Sequence, residues 1–241
     1  MSGNHGALLV VGSGPGIGVN VAKVFAERGF KKIILVSRDA ERLSKEVDEV
    51  KEVASGVEVV ASTIDLSDKA SVKQGLEQAD KHLQSTKLEC VLFNAARIGT
   101  SDLKDFTAEE VENDMHISVI SLHMVTQWAI PQLLETAKHA NAKPSFLVTS
   151  GGLAKNPRPT HFSLAMAKAA QYNYVWSLHK TYTPQGVHCA LIVVQGLVKD
   201  TAEVTTPRHI AEVTWDLANQ DKATGWDLDV DIIDPQYPGR R

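Results

Sequence analysis

Short apolar runs alternate with longer amphipathic stretches along the whole chain. The runs Ile33-Ile34-Leu35-Val36 and Leu191-Ile192-Val193-Val194 are continuous rather than alternating, which is typical of strands buried on both faces. We predict strands at about 7–11, 32–36, 57–63, 89–93, 145–149, 188–194 and 228–233. We predict helices at about 16–28, 40–54, 68–84, 108–138, 162–182 and 207–219. Because alternating strands and helices require right-handed crossovers, the pattern predicts an α/β fold, a doubly wound parallel sheet of about seven strands flanked by helices.

The first predicted strand runs directly into a glycine-rich turn, which leads into a helix. Glycines lack the Cβ that would keep an anion away from the backbone, and the N–H groups at a helix start face such an anion. Strand, turn and helix in this order are typical of a Rossmann-type fold that binds the pyrophosphate of a dinucleotide. The candidate binding residues in the turn are Gly12, Ser13, Gly14, Gly16, Ile17 and Gly18.

The second predicted strand ends in Ser37-Arg38-Asp39. In doubly wound nucleotide-binding folds, the residue at this strand end lies beside the adenosine ribose, where a carboxylate accepts from the 2′-hydroxyl of NAD. Ser37 carries no such charge, and the planar guanidinium of Arg38 suits a phosphate. The pair therefore favours NADP over NAD. Two alternatives stay open, a pairing of Arg38 with Asp39 and a merely solvated Arg38.

Composition narrows the class of protein further. The chain has 241 residues, 43% hydrophobic and 22% charged, which is ordinary for one soluble domain over residues 1–241. A net charge of −4 gives no reason to expect nucleic acid or an anionic membrane as a partner. We find no signal peptide pattern and no apolar run that approaches a bilayer span, and Cys90 and Cys189 fall in predicted buried strands. We therefore expect a cytoplasmic protein with neither a disulfide nor a metal site.

With these residues in view, the chain resembles the short-chain dehydrogenase/reductase family over nearly its full length. Its glycines match the family's turn, with Val11 in place of a threonine. Later segments match in order: Asp65-Leu66, Asn94-Ala95-Ala96 and Gln195-Gly196-Leu197-Val198, with Gln195 in place of a proline. The resemblance implies that Asp65 and Leu66 lie at the adenine and that Asn94, Ala95 and Ala96 lie near the cofactor. It also implies that the backbone from Gly196 to Val198 holds the nicotinamide carboxamide.

The family's catalytic set is Asn, Ser, Tyr and Lys, and this chain departs from it. Lys168 stands at the lysine position, where the resemblance implies that it binds the nicotinamide ribose. The tyrosine position is Leu164, which has no proton to exchange. The serine position falls on Gly151, although a shift of one residue would let Ser150 serve. The asparagine position is His116.

Two functions remain compatible with this set. In the first, an NADP(H)-dependent oxidoreductase transfers hydride to a small carbonyl, imine or enone. Its substrate then needs no proton donor, or His116 supplies the proton, since imidazole titrates near neutrality. In the second, the chain keeps the cofactor as a structural or sensing ligand and serves a non-redox reaction or a partner. We favour the enzyme, because the cofactor-binding motifs are intact.

The remaining expectations concern the edges of the pocket and the assembly. The segment between Gln195 and Thr206 is too short for the family's helical substrate lid, which predicts an open pocket. Arg97 follows a strand and could hold an anionic substrate group or lie free in a loop. Residues 234–241 are predicted to be irregular and exposed. The helices at 108–138 and 162–182 are apolar on more than one face, as in the helices that pair in family dimers, which predicts a homodimer or homotetramer.

Overall fold

Seven parallel strands form one sheet in the computed structural model, which describes residues 5–237. The strands are β1 (His5–Val11), β2 (Phe30–Ser37), β3 (Glu58–Thr63), β4 (Leu88–Phe93), β5 (Ser145–Gly151), β6 (His188–Gln195) and β7 (Asp229–Ile233). Their order across the sheet is β3-β2-β1-β4-β5-β6-β7. The predicted α/β fold is therefore confirmed. Each strand begins and ends within two residues of the range that the sequence predicts.

Helices cover both faces of the sheet. They are α1 (Ile17–Glu27), α2 (Ala40–Val53), α3 (Lys69–Leu83), α4 (Ala108–Met115), α5 (Ser121–Ala137), α6 (Phe162–Tyr182) and α7 (Pro207–Ala218). Side-chain caps fix several of the starts, as where Thr107 and Glu110 form a reciprocal capping box on α4. The helix predicted at 108–138 runs without a break from Ala108 to Ala137, with a π turn over His116–Ile120 between α4 and α5. Such π turns are frequent at functional sites.

The order of the strands determines where a ligand can bind. The chain leaves β1 toward β2 on one side and later returns to β4 on the other, so the connections after β1 and β4 diverge. In open parallel sheets this divergence creates a crevice at the carboxyl ends of the strands. Here the Asn94 side chain spans the two strands, since its Nδ2 donates to the Gly12 carbonyl oxygen at 2.9 Å.

The interior consists of two apolar clusters, one on each face of the sheet. By length and composition alone, the continuous helical stretch 108–137 could cross a membrane, so the expectation of no such run is wrong. In the structure this stretch packs as a core helix, because Leu122, Val125, Ala129 and Leu133 are buried in one of the clusters. Residues 196–206 form an irregular connection between β6 and α7, as the short spacing predicts.

Candidate active site

One cleft of about 1100 Å³ opens at the carboxyl edge of the sheet. We call the part lined by residues 12–17, 37, 38, 42 and 64–66 the glycine-turn side. We call the part lined by residues 149–153, 161, 164, 168, 234, 236 and 237 the α6 side. Most of the predicted site residues line this cleft, namely Gly12, Ser13, Gly14, Gly16, Ile17, Ser37, Arg38, Asp65, Leu66, Asn94, Ala95, Ala96, Ser150, Lys168, Gly196 and Val198. Gly18 and His116 are not among its lining residues.

The glycine-rich turn combines tight packing with open space. Gly12 has a φ of +89°, and a Cβ there would lie 2.6 Å from the Ala95 backbone nitrogen, so no other residue fits. A Cβ on Gly14 or Gly16 would meet no protein atom within 4 Å. Gly16 begins α1 without a side-chain cap, which leaves the start of the helix available to an anion. Gly18 instead packs under the turn, where a Cβ would lie 2.9 Å from Ser13 Cα.

At the end of β2, the Ser37 hydroxyl is held by an arginine that the sequence analysis does not single out. Arg42 Nη2 donates to Ser37 Oγ at 2.6 Å and to the Ser13 carbonyl oxygen at 3.3 Å. Asp39 engages Arg42 rather than Arg38, since its Oδ1 accepts from the Arg42 backbone N–H at 3.0 Å. Within residues 5–237, Arg38 makes neither an ion pair nor a side-chain hydrogen bond, so its exposed guanidinium can meet an anion.

A buried carboxylate under the turn links these groups. The Ser13 hydroxyl donates to Glu46 Oε2 at 2.5 Å, and Arg42 Nε lies 3.2 Å from Glu46 Oε1. Burial raises the pKa of Glu46, while the Ser13 hydrogen bond and the Arg42 charge oppose that rise. The turn, the end of β2 and helix α2 therefore share one polar network. The spacing of Arg42 and Glu46, one helical turn apart, is the sequence signal that could have revealed it.

Asp65 holds the loop after β3. Its Oδ1 accepts from the Ser67 backbone N–H at 2.9 Å and from the Ser67 hydroxyl at 2.7 Å. These two hydrogen bonds, together with the nearby charge of Arg38, hold the pKa of Asp65 below its ordinary value. The carboxylate is thus fixed at the cleft wall close to the cation at the end of β2.

On the α6 side, Lys168 is buried in a chain of hydrogen bonds. Its Nζ donates to the Thr149 carbonyl oxygen at 2.7 Å and to Gln171 Oε1 at 3.0 Å. Gln171 Nε2 donates in turn to the carbonyl oxygen of Ser118, within the π turn, at 2.7 Å. Burial lowers the pKa of Lys168 to about 8. Gln171 is another functional candidate that sequence reasoning misses, although it lies one turn beyond Lys168 on the same helix face.

Two buried hydroxyls near this lysine are left unused by the protein. Within the described residues, Thr149 Oγ1 and Ser150 Oγ make no hydrogen bond. Buried polar groups are nearly always paired, so an unpaired couple on the wall of a cleft calls for an external partner. Leu164 lines the cleft at the tyrosine position and offers only carbon atoms there.

His116 is not among the residues that line the cleft, and its role as a proton donor stays a prediction. Asn113 and Ile117, one turn apart, line the cleft on either side of it in sequence. The His116 ring lies toward Glu112 instead, with Nε2 3.9 Å from the Glu112 Oε1 atom. Neighbouring helical residues point about 100° apart, so position 117 faces the cleft while position 116 does not.

Arg97 lines the cleft, but its guanidinium is already paired. Its Nε and Nη2 donate to the two carboxylate oxygens of the buried Asp114 at 2.6 Å and 2.8 Å. The Ser163 hydroxyl donates to the same carboxylate at 2.6 Å. Arg97 thus braces α4 against the start of α6. His161 also lines the cleft, with Nδ1 3.0 Å from Thr160 Oγ1.

The segment after β7 corrects another expectation. Residues 234–241 are predicted to be exposed, yet Asp234, Gln236 and Tyr237 line the cleft, and Asp234 and Tyr237 are half-buried. Residues 238–241 lie outside the described part of the chain. The physical reason is a turn that follows β7. The Asp234 N–H continues the β6–β7 ladder by donating to the Gln195 carbonyl oxygen at 2.9 Å, and the Tyr237 backbone N–H donates to the Asp234 carbonyl oxygen at 2.9 Å.

Comparison with known proteins identifies the family. A family model described as short chain dehydrogenase matches residues 7–212, from β1 into α7. A versicolorin reductase of Emericella nidulans is 28% identical over 127 residues, which cover 53% of this chain and 47% of that protein. The chain spans about half the length of the curated relatives that it matches first.

Solved structures share the fold over nearly the whole chain. A short chain oxidoreductase of Pseudomonas aeruginosa PAO1, which binds NADPH and contains an atypical catalytic center, gives a TM-score of 0.80 at 22% identity and covers 95% of each chain. An alcohol dehydrogenase of the archaeon Thermococcus sibiricus, in complex with 5-hydroxy-NADP, gives 0.81 at 20% identity and covers 95% of this chain and 96% of that one. At these identities the likeness establishes the fold.

Proposed function

This chain belongs to the short-chain dehydrogenase family, and on that premise we propose that it is an oxidoreductase that uses NADP(H) to reduce a small organic carbonyl, imine or enone. One observation carries the proposal: a single cleft joins the glycine-rich turn, the strand end at Ser37 and Arg38, and the buried Lys168. Phosphate-binding geometry therefore stands at one side of the cleft, and a lysine with a lowered pKa stands at the other.

The residues present fit a dinucleotide. Gly14 and Gly16 leave room that a Cβ would fill, and α1 starts without a side-chain cap, so the turn suits a pyrophosphate. The loop at Asp65 and Leu66 would receive the adenine. The unpaired hydroxyls of Thr149 and Ser150 suit the reactive end.

Charge at the end of β2 favours NADP over NAD. Residue 37 is a serine, so no carboxylate is present at this position to accept a hydrogen bond from a ribose 2′-hydroxyl. Arg42 shares its charge with Asp39 and Glu46, whereas Arg38 makes no ion pair within residues 5–237. Arg38 is thus the cation that a 2′-phosphate would meet, and Arg42 would hold Ser37 in place beside it.

The side chains on the α6 side would have separate roles in the reaction. Bound NADPH would supply a hydride. Lys168 would donate hydrogen bonds to the nicotinamide ribose, and the Ser150 hydroxyl would orient the electrophilic group of the substrate. Leu164 transfers no proton, so a ketone needs an acid from elsewhere in the cleft, whereas an iminium ion needs the hydride alone.

We further propose that copies of this chain associate through α5 and α6. Ile120, Met166 and Trp176 are 39%, 49% and 45% exposed, which leaves an apolar surface along these helices. Trp176→Glu should lower the mass measured by light scattering at micromolar concentration. A monomeric wild-type protein at that concentration would rule out the assembly.

The test of the proposed cofactor compares NADPH with NADH by calorimetry. We expect tighter binding of NADPH, and we expect Arg38→Ala to narrow the difference by about 1.5–3 kcal/mol, the value of a charge-assisted contact. Arg28→Ala, outside the cleft, is the matched control and should leave the difference unchanged. Equal affinities for the two cofactors would contradict the preference. NADPH binding without oxidation across ketones, imines and enones would favour the non-redox alternative.

A further inference from the structure

The segment after β7 brings a phenol to the α6 side of the cleft. Tyr237 is half-buried and lines the cleft. A Cβ on Gly152 would lie 2.7 Å from the Tyr237 hydroxyl oxygen and 3.1 Å from Gln195 Oε1. The hydroxyl therefore occupies the space that a larger residue at position 152 would fill. That space is two residues beyond Ser150, beside the ends of β5 and β6.

Several contacts hold this tyrosine in place. The Asp234 backbone N–H donates to the Gln195 carbonyl oxygen at 2.9 Å, and the Tyr237 backbone N–H donates to the Asp234 carbonyl oxygen at 2.9 Å, which closes a turn. The backbone passes close to Gly196, where a Cβ would lie 2.6 Å from Asp234 Cβ. The Arg158 guanidinium carbon, on another residue that lines the cleft, lies 5.3 Å from the centre of the Tyr237 ring.

Few other groups that line the cleft could donate a proton to a substrate. Leu164 carries none, and His116 lies outside the cleft lining. Two of the three N–H groups of the Lys168 ammonium are committed to Thr149 and Gln171, and the third is the one proposed above for the nicotinamide ribose. His161 and Lys199 also line the cleft and are the remaining competitors, so His161→Gln and Lys199→Met are measured alongside the tyrosine variant.

We propose that Tyr237 is the catalytic acid that replaces the tyrosine missing at position 164, an inference that rests on the function proposed above. The hydride of NADPH adds to the carbonyl carbon as the C=O π bond breaks, and the Tyr237 hydroxyl proton passes to the carbonyl oxygen. One C–H and one O–H bond form, NADPH is oxidised to NADP⁺, and the carbonyl compound is reduced to an alcohol. Water then returns a proton to the phenolate.

The kinetic test uses Tyr237→Phe, which removes one hydroxyl and keeps the ring. With the carbonyl compound that the wild-type protein reduces fastest, kcat should fall by about 10²–10⁴-fold, the usual contribution of a positioned acid. The Kd for NADPH should stay within about twofold, since the phenol is not needed to hold the cofactor phosphates. Tyr182→Phe, outside the cleft lining, is the control and should leave kcat unchanged. The double variant Leu164→Tyr/Tyr237→Phe places a phenol on α6 instead. Its kcat should be at least tenfold higher than that of Tyr237→Phe, which is within the range expected for a general acid.

A second readout does not depend on turnover. Tetranitromethane should nitrate Tyr237 in the free protein, and NADP⁺ should protect it because the nicotinamide would cover the phenol. The same concentration of 2′-phospho-ADP-ribose, which lacks the nicotinamide, should not protect it. Peptide mass analysis distinguishes Tyr237 from Tyr172, Tyr174 and Tyr182, the other three tyrosines.

Three outcomes would overturn the inference. One is an unchanged kcat in Tyr237→Phe, above all if His161→Gln loses activity instead. Another is equal nitration of Tyr237 with and without NADP⁺. The last is a wild-type protein that reduces none of the carbonyl compounds when it is given NADPH. The first two leave the proposed function intact, whereas absent NADPH binding in calorimetry would remove the proposed function itself.

Discussion

The glycine-turn side and the α6 side of the cleft are built by different physical means. On the glycine-turn side, the essential geometry is local: a strand ends, Gly12 takes a φ of +89°, and a helix begins at Ile17. On the α6 side, Lys168 depends on a carbonyl near the end of β5, on Gln171 and on the π turn that joins α4 to α5. Tyr237 arrives there from beyond β7.

This difference explains why one side matches its family and the other departs from it. A turn that must bring backbone close to a ligand accepts few substitutions, because a Cβ on Gly12 or Gly18 collides with backbone and a Cβ on Gly14 or Gly16 enters the space proposed for the ligand. A proton donor needs only a hydroxyl at one point in space, and several elements can deliver one there. Loss of a tyrosine at position 164 is therefore compatible with retained chemistry, whereas loss of Gly12 is not compatible with the turn.

Gly12→Ala should cause the largest loss of folding stability. The substitution places a Cβ at a positive φ and 2.6 Å from the Ala95 backbone nitrogen. Backbone strain and overpacking should together lower the free energy of unfolding by about 2–4 kcal/mol. Urea unfolding followed by circular dichroism measures this loss.

Gly14→Ala is the matched control for that prediction. Its added Cβ would meet no protein atom within 4 Å, so unfolding should change by less than about 1 kcal/mol. NADPH binding should nevertheless weaken, because the methyl group enters the space proposed for the pyrophosphate. Equal stability losses in the two variants would show that steric fit does not govern this turn.

Lys168→Met tests whether burial of the charged Lys168 amine lowers the free energy of unfolding. Burial lowers the Lys168 pKa from 10.5 to about 8, so between these values the unfolded chain holds a proton that the folded chain has released. Raising the pH through this window therefore stabilises the folded wild-type protein relative to Lys168→Met. We expect a relative gain of about 1–3 kcal/mol. Parallel stability curves for the two proteins, measured by urea unfolding, would contradict the lowered pKa.

The sequence is sufficient for elements whose signals are local. Continuous apolar runs locate the strands, and the glycine pattern locates the turn at residues 12–18. The π turn, Gln171 and Glu46 escape prediction because each depends on contacts between distant segments. Tyr237 is the clearest case, since nothing in its neighbours indicates that residues 234–237 fold back onto Gln195.

Glu46→Gln examines whether the glycine-turn side also depends on a side-chain network. Burial raises the pKa of Glu46 above 4.5, so just above that value the folded chain holds a proton that the unfolded chain has released. Raising the pH through this window therefore lowers the stability of the wild-type protein relative to Glu46→Gln. Ser13→Ala should steepen the fall, because the Ser13 hydrogen bond opposes the rise in pKa. Urea unfolding at several pH values measures how the free energy of unfolding of each variant depends on pH. A difference between wild type and Glu46→Gln that does not change with pH would place Glu46 outside the network.

His116→Ala should have the smallest effect, and it tests the boundary of the α6 side. The His116 side chain is 23% exposed, and its contact with the exposed Glu112 spans 3.9 Å. Exposed pairs of this kind contribute about 0.2–1 kcal/mol, so the free energy of unfolding should change by no more than that. Because Asn113 and Ile117 line the cleft and His116 does not, kcat and the Kd for NADPH should both stay within about twofold of wild type.

Glu112→Ala, which removes the other member of the pair, is the control. It should give the same free energy of unfolding, kcat and Kd for NADPH as His116→Ala. A large fall in kcat with an unchanged Kd in His116→Ala alone would mean that the π turn rotates the imidazole into the cleft during turnover. The proton donor would then belong to that turn rather than to Tyr237.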